Sequence, residues 1–198
     1  SIHSNNDEII AFLEENQVEA YFPEILIESI EICSETLERI IACQNKIHSI
    51  FIRAPMNKLD FIDVRDNQID KLSFGKLTPR LRTLKIDNNL LISISELSDF
   101  NELEVFSASK NQILEIPKLS KFTLRTMNLS NNKITSLSSL NQPKLTTLDV
   151  SGNPIKDDGI NCQLEVNKNL RNLFLSSTNI TRCQCLANFY PYLTTVDF

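Results

Sequence analysis

Several residue types that catalysis and cofactor binding commonly use are scarce in this sequence. It contains three glycines and two histidines, and tryptophan is absent. A phosphate-binding loop and a nucleophile elbow both need closely spaced glycines, so neither motif can be written here. His3 and His48 are isolated, and no Cys-x-x-Cys or His-x-x-x-His spacing supports a zinc site. We therefore expect a protein that is not an enzyme and that uses no cofactor or metal.

Long apolar segments are also missing. No run reaches the length of about 18 apolar residues that a membrane-spanning helix needs, and no signal peptide is visible at the start. The cysteines are odd in number: Cys33, Cys43, Cys162, Cys183 and Cys185. They suggest no set of disulfide pairs, which favours a reducing compartment. We expect a protein of the cytoplasm or nucleus, without membrane contact.

Positive charge is absent from the first 38 residues, which hold ten acids and no Lys or Arg. Since the whole chain has 25 acids and 20 bases, the rest has 15 acids and 20 bases. An acidic segment of this kind is usually a solvated surface, and the alternative is contact with a basic partner. The body lacks a dense Lys/Arg cluster, so we expect RNA contact only indirectly, if at all.

A repeat of about 22 residues organises most of the chain. The copy Leu81-x-x-Leu84-x-Ile86-x-x-Asn89-x-Leu91 defines its frame. Six consecutive copies carry asparagine at the ninth position: Asn45, Asn67, Asn89, Asn111, Asn132 and Asn153. Their separations are 22, 22, 22, 21 and 21 residues, which is too regular for chance. A seventh copy has Thr178 at this position, and an eighth begins at Leu193.

Each copy predicts a short strand whose alternate residues point inward, and stacked copies predict a parallel sheet on the concave side of an arc. The asparagine amides are expected to be buried after the strands and to form a ladder of hydrogen bonds to backbone groups. Apolar residues then recur at every third position up to Phe100 in one copy and Phe122 in the next. This spacing predicts 3₁₀ turns on the convex side.

The pattern resembles the leucine-rich repeat over residues 37–198. Its period, its Asn-x-Ile-x-x-Ile/Leu tail and its Pro191-x-Leu193 ending resemble the short intracellular class of such repeats. That class includes the leucine-rich regulatory subunit of type-1 protein phosphatase and related splicing, dynein and spindle-pole proteins. The resemblance implies an α/β fold, a curved solenoid with a parallel sheet on one face and 3₁₀ or short helices on the other. It also implies a scaffold or regulatory subunit that binds another protein.

We divide the chain into an acidic N-terminal cap, residues 1–36, and the repeat array, residues 37–198, with a cap-like segment at 186–198. Ile9, Ile10, Leu13 and Val18 predict a short amphipathic helix over residues 6–20, capped by Asn6. Residues 26–32 alternate in part like a strand, although nearby glutamates fall at helical spacing. We favour a strand that adds to the sheet. The longer interval from 153 to 178 predicts an α-helix that Asp157 or Asp158 caps.

The outward positions of the predicted strands form the candidate binding surface. The candidate partner-binding residues are Arg39, Ile41, Phe61, Asp63, Arg65, Lys85, Asp87, Val105 and Phe174. Because aromatic and arginine side chains concentrate binding energy, we place a hot spot around Phe61 and Arg65 and a second anchor at Phe174. The competing interpretation is that Asp63 pairs with Arg65 or Lys85 and that Phe61 packs beside Ile41.

Three functions remain open at this point. The first is an intracellular scaffold or regulatory subunit with a protein partner. The second is a ribonucleoprotein subunit that grips a protein carrying RNA. The third is the ligand-binding part of a surface or secreted receptor, for which paired cysteines or glycans at Asn128-Leu129-Ser130 or Asn179-Ile180-Thr181 would speak.

Overall fold

The structure, a computed structural model, describes residues 2–5, 8–13, 19–22, 26–32, 34–160, 167–182 and 192–197. These residues contain thirteen strands, three 3₁₀ helices and no α-helix. The strands are β1 (Ile2–Asn5), β2 (Glu8–Leu13), β3 (Glu19–Tyr21), β4 (Ser29–Ile32), β5 (Arg39–Ile41), β6 (Ser49–Ile52), β7 (Phe61–Asp63), β8 (Thr83–Lys85), β9 (Val105–Ser107), β10 (Thr126–Asn128), β11 (Thr147–Asp149), β12 (Asn172–Phe174) and β13 (Thr195–Asp197). The 3₁₀ helices are Gly75–Leu77, Ser95–Asp99 and Asp157–Gly159.

One parallel sheet of nine strands runs along the described part of the chain, in the order β3-β5-β7-β8-β9-β10-β11-β12-β13. From β8 to β12 the middle residue of each strand is buried and its two neighbours are partly exposed. This follows from the alternation of side chains along a strand. The sheet therefore has an inner face on the core and an open face toward solvent, and the architecture is a parallel-sheet solenoid.

The ninth-position asparagines tie each coil to the one before it. Asn89 Nδ2 donates to the carbonyl oxygens of Val64, Ile86 and Asp87 at 3.0, 3.2 and 3.1 Å, and Asn89 Oδ1 accepts from Ile69 N at 2.8 Å. Equivalent bonds are made by the asparagines at 45, 67, 111, 132 and 153, all of them buried. Each amide satisfies backbone groups that the turn would otherwise leave unpaired.

The residue before each ladder asparagine turns the chain sharply. Gln44, Asp66, Asn88, Lys110 and Asn131 all have φ between 52 and 58°, in the left-handed region. Gly152 takes the same place with φ 67°, and a Cβ there would lie 2.5 Å from Asn131 Oδ1. The turn itself tolerates other residues at this corner, and glycine at position 152 avoids both the left-handed penalty and the contact with Asn131.

The core between the faces is aliphatic, with aromatic residues where adjacent 3₁₀ helices meet. Phe74 and Phe100 are buried and their rings contact edge to face, with centroids 5.7 Å apart. Gly75 lies against this pair, since a Cβ there would come within 3.0 Å of Phe100 Cε2. Phe122 occupies the same repeat position as Phe100 but is 43% exposed. Phe122 is therefore not part of the buried row, although it has the same spacing from the ladder asparagine.

The predicted helix over residues 6–20 is also wrong. Glu8–Leu13 is strand β2, which pairs antiparallel with β1 and parallel with β4, and Glu19–Tyr21 is strand β3. Ile9, Ile10 and Phe12 are residue types that fit strands better than helices once neighbouring strands are available. Asn6 and Val18 lie outside the described residues.

A second sheet accompanies the first at the N-terminal end, with strand order β1-β2-β4-β6. The predicted strand in residues 26–32 exists as β4, but it belongs to this second sheet. The edge of the nine-stranded sheet is β3, which pairs with β5 through Ala20 and Ile40. A further coil therefore precedes Leu37, within the region that we assigned to the cap.

Two predictions at the C-terminal end fall mainly outside the described residues. Residues 161–166, where an α-helix was expected, and 183–191, most of the cap-like segment, are not described. The described neighbours are the 3₁₀ helix Asp157–Gly159 and strand β13. Asp157 does not cap a helix in this part; its carboxylate accepts from Thr181 N, Thr181 Oγ1 and Arg182 N of the next coil. Of the helices that the structure describes, none is long and apolar enough to cross a membrane.

Candidate partner-binding surface

The open face of the nine-stranded sheet carries two parallel rows of side chains. The row from the first residues of the strands is Glu19, Arg39, Phe61, Thr83, Val105, Thr126, Thr147, Asn172 and Thr195. The row from the third residues is Tyr21, Ile41, Asp63, Lys85, Ser107, Asn128, Asp149, Phe174 and Asp197. The candidate residues from the strands fall on these rows in the predicted register, and Arg65 and Asp87 follow two residues behind Asp63 and Lys85.

An aromatic ring flanked by two cations marks the N-terminal half of the open face. The Arg39 guanidinium carbon lies 3.9 Å from the centre of the Phe61 ring, and Lys85 Nζ lies 5.6 Å from it. Arg39 comes from β5 and Lys85 from β8, on either side of β7. Tyr21, at the sheet edge beside Ile41, is 65% exposed. We call Tyr21, Arg39, Ile41, Phe61 and Lys85 the aromatic–cationic patch.

Beside this patch, Asp63 and Arg65 pair with each other. Arg65 Nε and Nη2 donate to Asp63 Oδ1 and Oδ2, both at 2.8 Å. Burial raises the pKa of Asp63, but hydrogen bonds from Arg65 and Cys43 and the Arg65 charge outweigh it and hold the pKa below its usual value. The bonds to Asp63 in turn raise the pKa of Arg65. The competing interpretation of the sequence included this pairing. The Arg65 guanidinium is therefore already bound to the Asp63 carboxylate.

The direction of this pKa shift determines the pH range in which the Asp63–Arg65 pair stabilises the folded protein. Because the pKa of Asp63 is lower in the folded protein, the stabilisation is present above the unfolded pKa of about 3.9. It is lost as the pH falls through the lowered folded value.

Cys43 completes this cluster and is expected to react slowly with alkylating reagents. Its Sγ lies 3.1 Å from Asp63 Oδ1, and burial, together with the hydrogen bond and charge of Asp63, raises the thiol pKa from 9.0 to about 11. Because the thiolate is the reactive form, we expect iodoacetamide labelling at pH 8 to be roughly 100-fold slower than that of an unperturbed thiol. Peptide-resolved mass spectrometry of the native protein measures this rate.

The control for Cys43 is Asp63→Asn, which removes the negative charge and leaves the Arg65 cation near the thiol. Labelling of Cys43 should then accelerate. Equal labelling rates in the native protein and in a short peptide containing Cys43 would contradict the shifted pKa.

Farther along the open face, the polar side chains mostly bond to neighbouring turns. Asp87 Oδ1 accepts from Ser107 Oγ at 2.6 Å and from Ser109 N at 2.7 Å. Asn128 Oδ1 accepts from Ser130 N, and Asp149 Oδ1 accepts from Ser151 N, each at 3.0 Å. These short polar side chains cap the turns after the strands, as such residues commonly do. Asp87 is thus held by two donors of the next coil.

Among the described residues, no group of three or more His, Cys, Asp or Glu is placed to hold a metal ion. Phe174, which the sequence analysis named as a second anchor, is partly buried and lies between Asp149 and Asp197 in its row. Tyr21 was missed by the sequence reasoning because its coil lacks the repeat asparagine, with Ile25 in that place.

Comparisons with known proteins agree with this architecture. A family model described as leucine-rich repeats in two copies matches residues 122–161. Similar solved structures include an internalin, InlF, from Listeria monocytogenes (24% identity, TM-score 0.72, covering 87% of this chain and 54% of that chain). YopM from Yersinia enterocolitica is 26% identical with a TM-score of 0.71, covering 86% of this chain and 35% of that one. The LRIM1/APL1C complex has 20% identity and a TM-score of 0.71, covering 85% and 31%.

These matches support a leucine-rich-repeat protein. The chain spans about half the length of the internalin and about a third of YopM. No match was found among curated proteins.

Proposed function

We propose that this chain is a protein–protein interaction module that docks a partner protein on the open face of the nine-stranded sheet. The leucine-rich-repeat fold supports this proposal, and one structural neighbour, LRIM1/APL1C, is itself a complex. An extended sheet with exposed side chains in ordered rows offers a large, rigid surface for another protein.

The observation that carries the proposal is the placement of Phe61. Its ring lies on the solvent-facing side of β7 with cations on both flanks, and Tyr21 stands exposed at the sheet edge. Aromatic and arginine side chains at the centre of a surface are the usual hot spots of interfaces. We therefore move the proposed docking centre from Phe61 and Arg65 to the aromatic–cationic patch. Arg65 makes two hydrogen bonds of 2.8 Å to Asp63, whereas Arg39 makes one longer ion pair, 3.4 Å, with Glu19.

We further propose that the protein is a scaffold or regulatory subunit of the short intracellular repeat class, in the cytoplasm or nucleus, and not an enzyme. The 22-residue period, the odd number of cysteines and the scarcity of catalytic residue types support this. The acidic N-terminal region is proposed to contact a basic partner surface.

A second candidate is the ligand-binding part of a surface or secreted protein. Asn179, in the sequence Asn179-Ile180-Thr181, is exposed and its backbone pairs with the preceding coil near Lys156. Such a site accepts a glycan in a secretory compartment. The intact mass of the native protein distinguishes the candidates: a glycan or paired cysteines favour this second function, and an unmodified chain with five free thiols favours the first.

Removing the centre of the aromatic–cationic patch should abolish partner recovery. For the double variant Arg39→Ala/Phe61→Ala we expect the Kd for the partner to rise at least about 30-fold, since hot-spot truncations cost roughly 2 kcal/mol or more. The tagged protein captures partners from cells of its source, mass spectrometry identifies them, and titration calorimetry with the purified partner measures the Kd.

The matched control changes Thr126 and Thr147, which lie in the same row of the sheet, to alanine. The control should bind the partner as the original chain does. Unchanged binding by the Arg39/Phe61 double variant, with its thermal unfolding intact, would contradict the proposed docking centre.

A further inference from the structure

The middle of the repeat array has an unusual charge distribution. Residues 116–148 contain five basic residues and no Asp or Glu, although the whole chain carries a net charge of −5. The basic residues of this stretch are Lys118, Lys121, Arg125, Lys133 and Lys144. The excess of positive charge in the body of the chain is therefore concentrated rather than spread evenly.

Part of this charge gathers on one side of three successive coils, just before strands β10, β11 and β12. The residues involved are Lys121, Arg125, Lys144, Lys168 and Arg171, which we call the basic side face. Of these five residues, only Arg125 makes an ion pair within the described part of the chain, with Glu104 at 3.3 Å. The three lysines are exposed, and the described part of the chain places no acid against them.

Buried amide side chains hold these three turns together. Gln142 Nε2 donates to Lys121 O at 2.8 Å, and Gln142 N donates to Asn167 Oδ1 at 2.7 Å. Asn169 Nδ2 donates to Pro143 O at 2.6 Å. Gln142 and Asn167 are almost fully buried, so the backbone that carries the three lysines is fixed. Lys121, Lys144 and Lys168 therefore project from three stacked coils, staggered by one or two residues relative to the strand register.

Apolar surface lies next to this charge. Phe122, beside Lys121, is 43% exposed, and Tyr192 is 58% exposed. The Arg171 guanidinium carbon lies 5.2 Å from the centre of the Tyr192 ring. The face therefore combines cations on three successive coils with an aromatic side chain toward each end.

We propose that the basic side face binds an extended, acidic segment of a partner protein, as a second surface independent of the aromatic–cationic patch. Carboxylates on alternate residues of an extended chain recur about every 6.7 Å, and the long, flexible side chains of lysines on successive coils can reach them. Apolar residues of the same segment would cover Phe122 and Tyr192.

A protein segment fits this face better than a nucleic acid. The sequence pI is 5.1 and the first 38 residues carry ten acids, whereas nucleic-acid-binding domains are usually strongly basic as a whole. This net charge repels both kinds of ligand, but it repels a long polyphosphate chain, with one charge per nucleotide, more than a short peptide whose carboxylates alternate with apolar residues.

The test uses the full chain and a fluorescein-labelled peptide of repeating Glu-Ala-Glu-Phe, with binding followed by fluorescence anisotropy. Binding should be clear at about 50 mM salt and weaken strongly at about 300 mM. The triple variant Lys121→Gln/Lys144→Gln/Lys168→Gln should bind on the order of tenfold more weakly. The matched control, Lys110→Gln/Lys133→Gln/Lys156→Gln, removes the same charge beyond the opposite ends of the strands and should change binding less than about twofold.

Several outcomes would overturn the proposal. One is no binding of the peptide at low salt, and another is equal weakening by the two triple variants, whose folding is checked by circular dichroism. Tighter binding of an oligothymidylate of equal charge would assign the face to nucleic acid instead. Salt-sensitive self-association in sedimentation velocity, abolished by the Lys121/Lys144/Lys168 variant, would show that a second copy's acidic N-terminal region occupies the face.

Discussion

Replacing Asn111 by alanine is expected to lower the free energy of unfolding by about 3 kcal/mol. Asn111 Nδ2 donates to Ile86 O and Ala108 O at 3.0 and 3.1 Å, and its Oδ1 accepts from Leu91 N at 2.9 Å. Alanine would leave the buried Leu91 N–H without a partner, which costs roughly 1–3 kcal/mol. It would also remove one of the two side-chain hydrogen bonds at each of Ile86 O and Ala108 O, which keep those from Asn89 and Asn132. Equilibrium unfolding in urea, monitored by circular dichroism, measures the loss.

Two controls separate the ladder bonds from side-chain size. Asn101→Ala changes an exposed asparagine of the preceding coil and should alter stability by less than about 0.5 kcal/mol. Asn111→Asp keeps the shape but replaces the donor by an acceptor beside backbone carbonyls, so it should also destabilise, and less at low pH where the carboxyl is protonated. An unchanged free energy of unfolding in Asn111→Ala would show that the asparagine hydrogen bonds do not stabilise the fold.

The second large effect is expected at Phe100. Its ring is buried against Phe74 in the contact between the 3₁₀ helices of adjacent coils, so Phe100→Ala should cost about 3–5 kcal/mol. Phe122→Ala changes the same residue type at the same repeat position, but its ring is 43% exposed. We expect it to cost less than about 1 kcal/mol in the same urea experiment.

A double-mutant cycle at Phe74 and Phe100 tests the packing between coils. The coupling energy should be about 0.5–1.5 kcal/mol beyond simple burial, because the rings meet edge to face. Equal losses from Phe100→Ala and Phe122→Ala would mean that the two coils pack alike and would contradict the difference in burial.

The rows of the open face could be predicted from the sequence because their spacing is fixed by the repeat. Once Asn89 and Asn111 lie at the same place in adjacent coils, Thr83 must stand beside Val105 and Lys85 beside Ser107, as the register has them. A slip by one residue would turn the aliphatic residues outward, so the buried pattern itself determines the pairing.

The N-terminal strands could not be predicted in the same way. Ile9, Ile10 and Leu13 fit one side of a helix and also a strand, and periodicity does not choose between them over so short a segment. The choice is made by β4 and β6, which extend a second sheet to which β2 can add. The second sheet depends on contacts between distant parts of the chain. In the sequence its only sign is the short β-type pattern of residues 49–52.

The sequence predicted where the candidate residues lie on the sheet, but it left their contacts as alternatives. The sequence places Asp63, Arg65 and Lys85 within reach of one another, and only the side-chain geometry shows that Arg65 binds Asp63 while Lys85 lies near Phe61. Similarly, Phe122 has the sequence signal of Phe100, but its coil is one residue shorter. The preceding coil also has Glu96 and Leu97 at the repeat positions of Phe74 and Gly75, so the aromatic pair has no counterpart there.

Hydrogen exchange of asparagine side chains tests the stacked solenoid most directly. In a nitrogen-15 NMR spectrum, the Nδ2 protons of Asn67, Asn89, Asn111 and Asn132 should exchange at least about 100-fold more slowly than those of the exposed Asn101. Protection of these four amides together is expected if successive coils lie side by side and share their turns. Exchange as fast as that of Asn101 would contradict the stacking, and with it the ordered rows on which the proposed docking surface depends.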